Sequence, residues 1–183
     1  MFERLSKSAK AAVNAACIEA ATRGDAVAED VHLLIGCSMG RSEASTILHD
    51  VGATRQRILE LLDGADSQPF DDDDAHALST VGIDLAEVMR AAEDVFGSGA
   101  LAESRPSARR GPTRRAAPLG PSAKQAIVQA LSETINRGDR RIEAGHLLLG
   151  VLHDPSPRCR AITFLLDLDY DAAAARLNEP LAG

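Results

Sequence analysis

From Ser6 to Arg23 the apolar residues fall at Ala9, Ala12, Val13, Ala16, Cys17, Ala20 and Ala21. This i, i+3, i+4, i+7 spacing predicts a helix with a single apolar stripe. Ser6 is placed to cap its first turn, since a hydroxyl there accepts an otherwise unpaired amide, and Gly24 to stop it. Val31 to Cys37 is apolar nearly all round, which predicts a short helix buried on every side. Shorter helices are expected at Glu43–His49 and from about Thr54 to Asp63, with Val51-Gly52 as the turn between them and Gly64 as the stop.

The pattern then returns 114 positions later. Pro121 to Arg137 carries Ala123, Ala126, Ile127, Ala130, Leu131 and Ile135 on one face, and Glu143 to Gly150 repeats the segment Glu29 to Gly36. Ser156-Pro157 reads as an N-cap followed by proline at the first helical position, opening a helix with Ala161, Ile162, Leu165 and Leu166 inward. A last helix is expected from Asp171 to Leu177. Between Ser8–Gly36 and Ser122–Gly150, fourteen of twenty-nine positions are identical without a gap, so the chain holds an internal duplication. No stretch predicts a strand. The fold class is all-α, two repeats of four helices.

The repeats are expected at 1–64 and 119–183, folded together as one domain, with an insertion at 65–118. The insertion opens on the acidic run Asp71 to Asp74. A helical half-repeat over 75–97 follows, in which Leu78 to Asp84 echoes Leu48 to Thr54. Residues 104–118 are rich in Arg, Pro, Ser and Ala without periodicity, the composition of a mobile linker.

Composition narrows the function. With no Trp, one Tyr and four Phe, the core must be aliphatic. No apolar run approaches the roughly 20 residues that cross a bilayer, and the N-terminus has no signal-peptide pattern. The three cysteines show no metal spacing and read as core residues of a reducing, cytoplasmic protein. A net charge of −7 argues against general nucleic-acid affinity. Arg105, Arg109, Arg110, Arg114 and Arg115 have no acidic residue among them, but no aromatic interleaves them for base stacking.

Gly36-Cys37-Ser38-Met39-Gly40 matches the G-x-S-x-G pattern of a nucleophile elbow. That motif works on a strand-to-helix turn, so in a helical chain it reads as coincidence. His32 and His146 sit near the start of buried helices, where a histidine bonded to backbone is the expected role. His49, His76 and His153 add no ligand set. No cofactor, metal or catalytic residue is implied.

Met1-Phe2-Glu3-Arg4-Leu5-Ser6, the Ala9-Lys10 helix, a Gly-Asp break, and a His followed by a Leu-rich segment and Gly, all but the opening found twice, resemble the N-terminal domain of the Clp chaperone ATPases, most of all the ClpC type. Leu119-Gly120-Pro121-Ser122-Ala123-Lys124 resembles that family's opening of the second repeat. The resemblance covers both repeats, and implies two four-helix units about a pseudo-twofold axis that bind adaptors, substrates, degradation tags or cyclic peptide antibiotics. It implies a groove where the repeat openings meet, carried here by Phe2, Lys10, Leu119 and Lys124. The family's ClpC type has a Glu directly before each His, able to hold a phosphoarginine guanidinium; Val31 and Gly145 stand there instead and cannot pair with one. No Gly-Lys pair occurs in the sequence, so no nucleotide-binding P-loop does. The expected function is a non-enzymatic, stand-alone peptide- or protein-binding module, acting as adaptor, competitor or decoy in Clp-dependent proteolysis. Its alternatives are sequestration of Clp-directed cyclic peptides, and nucleic-acid or acidic-partner binding through the arginine-rich linker.

Overall fold

The computed structural model describes residues 4–67 and 116–178. The acidic run, the half-repeat and the linker arginines lie outside these residues, as does Phe2. The chain divides into two compact units, Met1–Leu61 with Arg110–Gly183 and Leu62–Arg109. Only residues 62–67 of the second are described, and they complete a helix that begins in the first.

Among the described residues the protein is all-α, with eight helices: α1 Lys7–Arg23, α2 Asp30–Ser38, α3 Glu43–Asp50, α4 Arg55–Ser67, α5 Pro121–Asn136, α6 Ala144–His153, α7 Pro157–Leu165 and α8 Tyr170–Asn178. Ser6 caps α1 by accepting from the Ala9 amide, and Gly24 ends it in the left-handed conformation at φ 83°. Ser156 caps α7 in the same way, with Pro157 first in the helix. Gly64, expected as a stop, does not end α4, which runs on to Ser67. Glycine lowers helix propensity by only about 1 kcal/mol, and Gly64 is not among the glycines with positive φ.

The core is two helix crossings. Every residue of α2 is buried, as is every residue of α6 except His153. α2 lies across α1, and α6 across α5, with α2 and α6 also in contact. The crossings are close because a glycine meets an alanine stripe. A Cβ on Gly36 would stand 2.1 Å from the Ala12 carbonyl oxygen, and one on Gly150 would stand 2.2 Å from that of Ala126. Leu33, Leu34 and Ile35 in α2 and Leu147, Leu148 and Leu149 in α6 are fully buried as a result. Each such side chain contributes roughly 1.5–3 kcal/mol.

These crossings also correct two stripe assignments. Ile135 is 63% exposed and Leu165 64% exposed, although both were expected inward. α5 is gripped at Ala126 and Ala130, so its next inward position is Thr134, which is buried and returns its hydroxyl to the Ala130 carbonyl at 2.7 Å. On α7 the inward residues are Cys159, Ile162 and Thr163, with Leu166 following as the C-cap; Ala161 and Leu165 face out.

The segments leading into the helices cross from one copy to the other. Leu5 forms a parallel bridge with Ile142, and Leu119 forms one with Ala28. Ser6 N–H donates to the Ile142 carbonyl and Ile142 N–H to that of Arg4, both at 2.9 Å. Ala28 N–H donates to the Pro118 carbonyl and Gly120 N–H to that of Ala28, both at 2.8 Å. The two sets are related by the same offset of 114 positions. Each copy's opening is therefore held by the other copy's approach to its second helix.

Of the expected mobile linker 104–118, only residues 116–118 are described, and these are held in place. Ala117 is buried with Ala20 and Ala28, and its amide donates to the Cys17 carbonyl at 2.8 Å. A lone alanine carries no periodicity, which is why composition alone assigned it to the linker.

Candidate binding groove and its surroundings

The segment 116–119 and the outer face of α1 enclose a shallow groove of about 410 Å³, lined by Leu5, Lys10, Val13, Asn14, Cys17, Ala116, Ala117, Pro118 and Leu119. Two of the four expected site residues, Lys10 and Leu119, thus meet in one depression. Lys124 occupies the equivalent position on α5, exposed, and is not among the lining residues. The groove's floor is aliphatic, Lys10 is its one charged lining residue, and neither lysine is engaged in an ion pair among the described residues. Burial pushes the Cys17 thiol up, so it lines the groove as a neutral, weakly nucleophilic group. Cys37 is pushed up to about 12 by complete burial, and Cys159 well above its ordinary value by burial and the nearby Asp30 carboxylate.

The two histidines are structural. His32 Nδ1 accepts from the Glu29 amide at 3.0 Å while Nε2 lies 3.0 Å from Asp25 Oδ2. In the second copy, His146 Nδ1 accepts from the Glu143 amide at 3.0 Å, with Nε2 3.0 Å from Asp139 Oδ2. With Nδ1 accepting, the ring proton sits on Nε2 and is donated to the aspartate. The bond from His32 holds the Asp25 carboxyl below its ordinary value of 3.8, with the charges of Arg23 and Arg158 adding to it against burial.

Glu29 and Glu143 stand just before their helices and reach into the opposite copy. Glu29 accepts from the Ser122 hydroxyl and, at 3.2 Å, from the Ser122 amide, so it neutralises an open amide in the first turn of α5. Ser8 donates to Glu143 at 2.7 Å and accepts from the Ala144 amide at 3.3 Å. Sequence reasoning singled out neither serine as a site residue, though both stand in the repeated Ser-Ala-Lys that opens each helix.

Asp30 has no counterpart, because Ala144 occupies the matching position. Its buried carboxylate accepts from the Ser156 amide at 2.7 Å, the Ser156 hydroxyl at 2.9 Å and the Val31 amide at 2.9 Å, and lies 3.2 Å from the Ser122 hydroxyl whose proton goes to Glu29. It ties the starts of α2, α5 and α7 together. The repeated Glu19 and Glu133 are buried as well: Arg55 donates to Glu19 twice at 2.9 Å, and the Tyr170 hydroxyl donates to Glu133 at 2.8 Å. Each anchors its copy's last helix to its first.

The nucleophile-elbow match is coincidental in structure too. Ser38 closes α2, is 3% exposed, and donates to the Ile35 carbonyl at 2.7 Å. No group of three or more His, Cys, Asp and Glu side chains with metal-binding geometry occurs among the described residues. No described helix is long and apolar enough to cross a membrane.

Of the positions that hold a Glu in ClpC-type domains, only that of Val31 is closed; at Gly145 a side chain would have to displace the tip of Leu177. Val31 is 1% exposed, and a Cβ on Gly145 would lie 2.7 Å from Leu177 Cδ2 of α8.

Among solved structures, the chain is similar to the N-terminal domain of the caseinolytic protease associated chaperone ClpD from Arabidopsis thaliana. Identity is 16% and the TM-score 0.62, over 97% of this chain and 100% of that one. The fold is Clp N-domain-like. A second similar chain comes from structural investigations of a malarial protein secretion system, at 14% identity and a TM-score of 0.60, covering 95% of this chain and 92% of that one. No family model and no curated protein matches the sequence. At these identities the likeness establishes the Clp-type fold.

Proposed function

We propose that the protein is a non-enzymatic module that binds peptides or proteins through the groove at the junction of its two copies, as an adaptor, competitor or decoy in Clp-dependent proteolysis. The observation that carries this reading is the meeting of Lys10 and Leu119 over an aliphatic floor of Leu5, Val13 and Cys17. Such a surface takes an apolar side chain while the ammonium orients an acceptor or carboxylate beside it. Phe2 and Lys124 belong to the same proposal, Phe2 as an apolar anchor and Lys124 as the symmetric cation. The similar ClpD domain belongs to a protease-associated chaperone, which supports a Clp-related partner for this chain.

Capture of purified Clp ATPase and protease subunits by the immobilised protein tests the reading. Retention weakened about tenfold by Lys10→Glu, a loss of about 1.4 kcal/mol, supports it. Retention indifferent to Lys10→Glu and Leu119→Asp removes the groove from the proposal.

A further inference from the structure

Each bridge between the copies uses only one edge of an extended segment. Around Leu119 the bonds belong to its neighbours: Ala28 N–H donates to the Pro118 carbonyl, and Gly120 N–H donates to the Ala28 carbonyl. Successive residues of extended backbone turn their N–H and C=O to opposite edges, so those of Leu119 face away from Ala28. Ala117, two residues earlier, shares that orientation, and its amide reaches the Cys17 carbonyl of α1 at 2.8 Å. The outer edge of the segment therefore looks onto α1, across the groove where Leu119 meets Lys10, Val13 and Asn14. Neither the N–H nor the C=O of Leu119 makes a hydrogen bond among the described residues. With the Ala117 amide already spent, the open edge is a single residue long.

A main-chain donor and acceptor held side by side over an aliphatic floor fit the same pair on a second extended chain. Within a helix those groups are committed to its own i→i−4 bonds, so a helix laid in the groove leaves Leu119 unanswered. Lys10 adds a preference of charge. It is the one charged side chain lining the groove and has no ion pair among the described residues. A carboxylate beside the paired residue is its complement.

We propose that the groove takes an extended peptide segment as an added strand on Leu119, with an acidic side chain of that segment turned to Lys10. This rests on the groove reading above and adds the form its partner must have.

The test is fluorescence anisotropy of the full chain with a labelled nonapeptide of leucine and threonine that carries one aspartate at its centre. Its C-terminus is amidated, so that the only carboxylate is the side chain's. The peptide is then N-methylated at one position at a time. A methyl group that removes a paired amide is expected to weaken binding about tenfold, and one on either neighbouring amide less than about twofold. Aspartate replaced by asparagine is expected to bind more weakly to the wild type and equally to Lys10→Ala. On the protein side, Leu119→Pro, which deletes the donor, is expected to lose more affinity than Leu119→Ala, which deletes only the side chain. Absence of binding by the wild type, or equal affinities for all the N-methylated peptides, overturns the proposal. Retention of Clp subunits separates the two readings. If that retention depends on Lys10 while every N-methylated peptide binds alike, strand pairing fails and the groove stands; if neither readout depends on Lys10, the groove itself fails.

Discussion

Residues 23–32 and 137–146 pass through the same turn and end on the same histidine bond, but one carries Ala26, Val27 and Val31 where the other carries Arg140, Arg141 and Gly145, which line a cavity. The groups that agree between the copies are those that satisfy buried polar atoms or permit a close crossing: the histidine, the aspartate, the glycine after the leucine run, the serine that caps the opposite helix. The groups that differ include buried pairs such as Asp30 and Ala144 or Ala20 and Thr134, as well as exposed ones such as Ala26 and Arg140. The residues that hold the two copies together are thus largely shared, while the turn before the buried histidine differs between them.

The comparison is broken most severely at the shared glycines. Gly36→Ala and Gly150→Ala each place a Cβ within 2.2 Å of a backbone carbonyl that cannot swing aside. Each is expected to cost about 3 kcal/mol or more by urea denaturation. Equal costs would support equivalent crossings; a tolerated substitution in one copy would show that its helices are not so closely held.

Asp30→Ala gives the first copy the second copy's residue and leaves the Ser156 amide and hydroxyl without their acceptor. A loss of about 2–3 kcal/mol is expected, because the carboxylate ties three helix starts and Ala144 ties none. A loss under about 0.5 kcal/mol would mean that water replaces it.

The histidine bonds give a smaller, pH-dependent effect. Asp25 is held below its ordinary value, so the stability it contributes is complete above pH 3.8 and is lost as the pH falls through the lower folded value. Asp25→Asn is therefore expected to flatten the acid limb of the unfolding curve and to cost about 1 kcal/mol at neutral pH. Asp139→Asn should cost less, since Asp139 is 55% exposed against 34% for Asp25. Smallest of all, Arg140→Ala with Arg141→Val should change stability by no more than about 0.5 kcal/mol.

Much of this is legible in the sequence. Ser6 as cap, Gly24 as stop and the doubly repeated, fully apolar second helix follow from local chemistry and from periods of 3.6 residues. The coincidental elbow and the structural histidines followed from the same reasoning. What was hidden is what depends on a single contact across the copies. The bridges of Leu5 with Ile142 and Leu119 with Ala28 are one residue pair each, too short for any periodic signal. The inward face of α5 was misplaced at Ile135 because Thr134, polar by composition, satisfies its own hydroxyl and takes the buried position. Lys10 and Leu119, named from the duplication and the family likeness, line one depression together with Asn14 and Ala117, which no periodic signal marks.

The most direct test of the central claim is calorimetric titration of the full chain with purified Clp ATPase and protease subunits, repeated with Lys10→Glu. Saturable binding that this one substitution weakens about tenfold is the predicted result. Absence of heat with every subunit, or an affinity unchanged by Lys10→Glu, would contradict it.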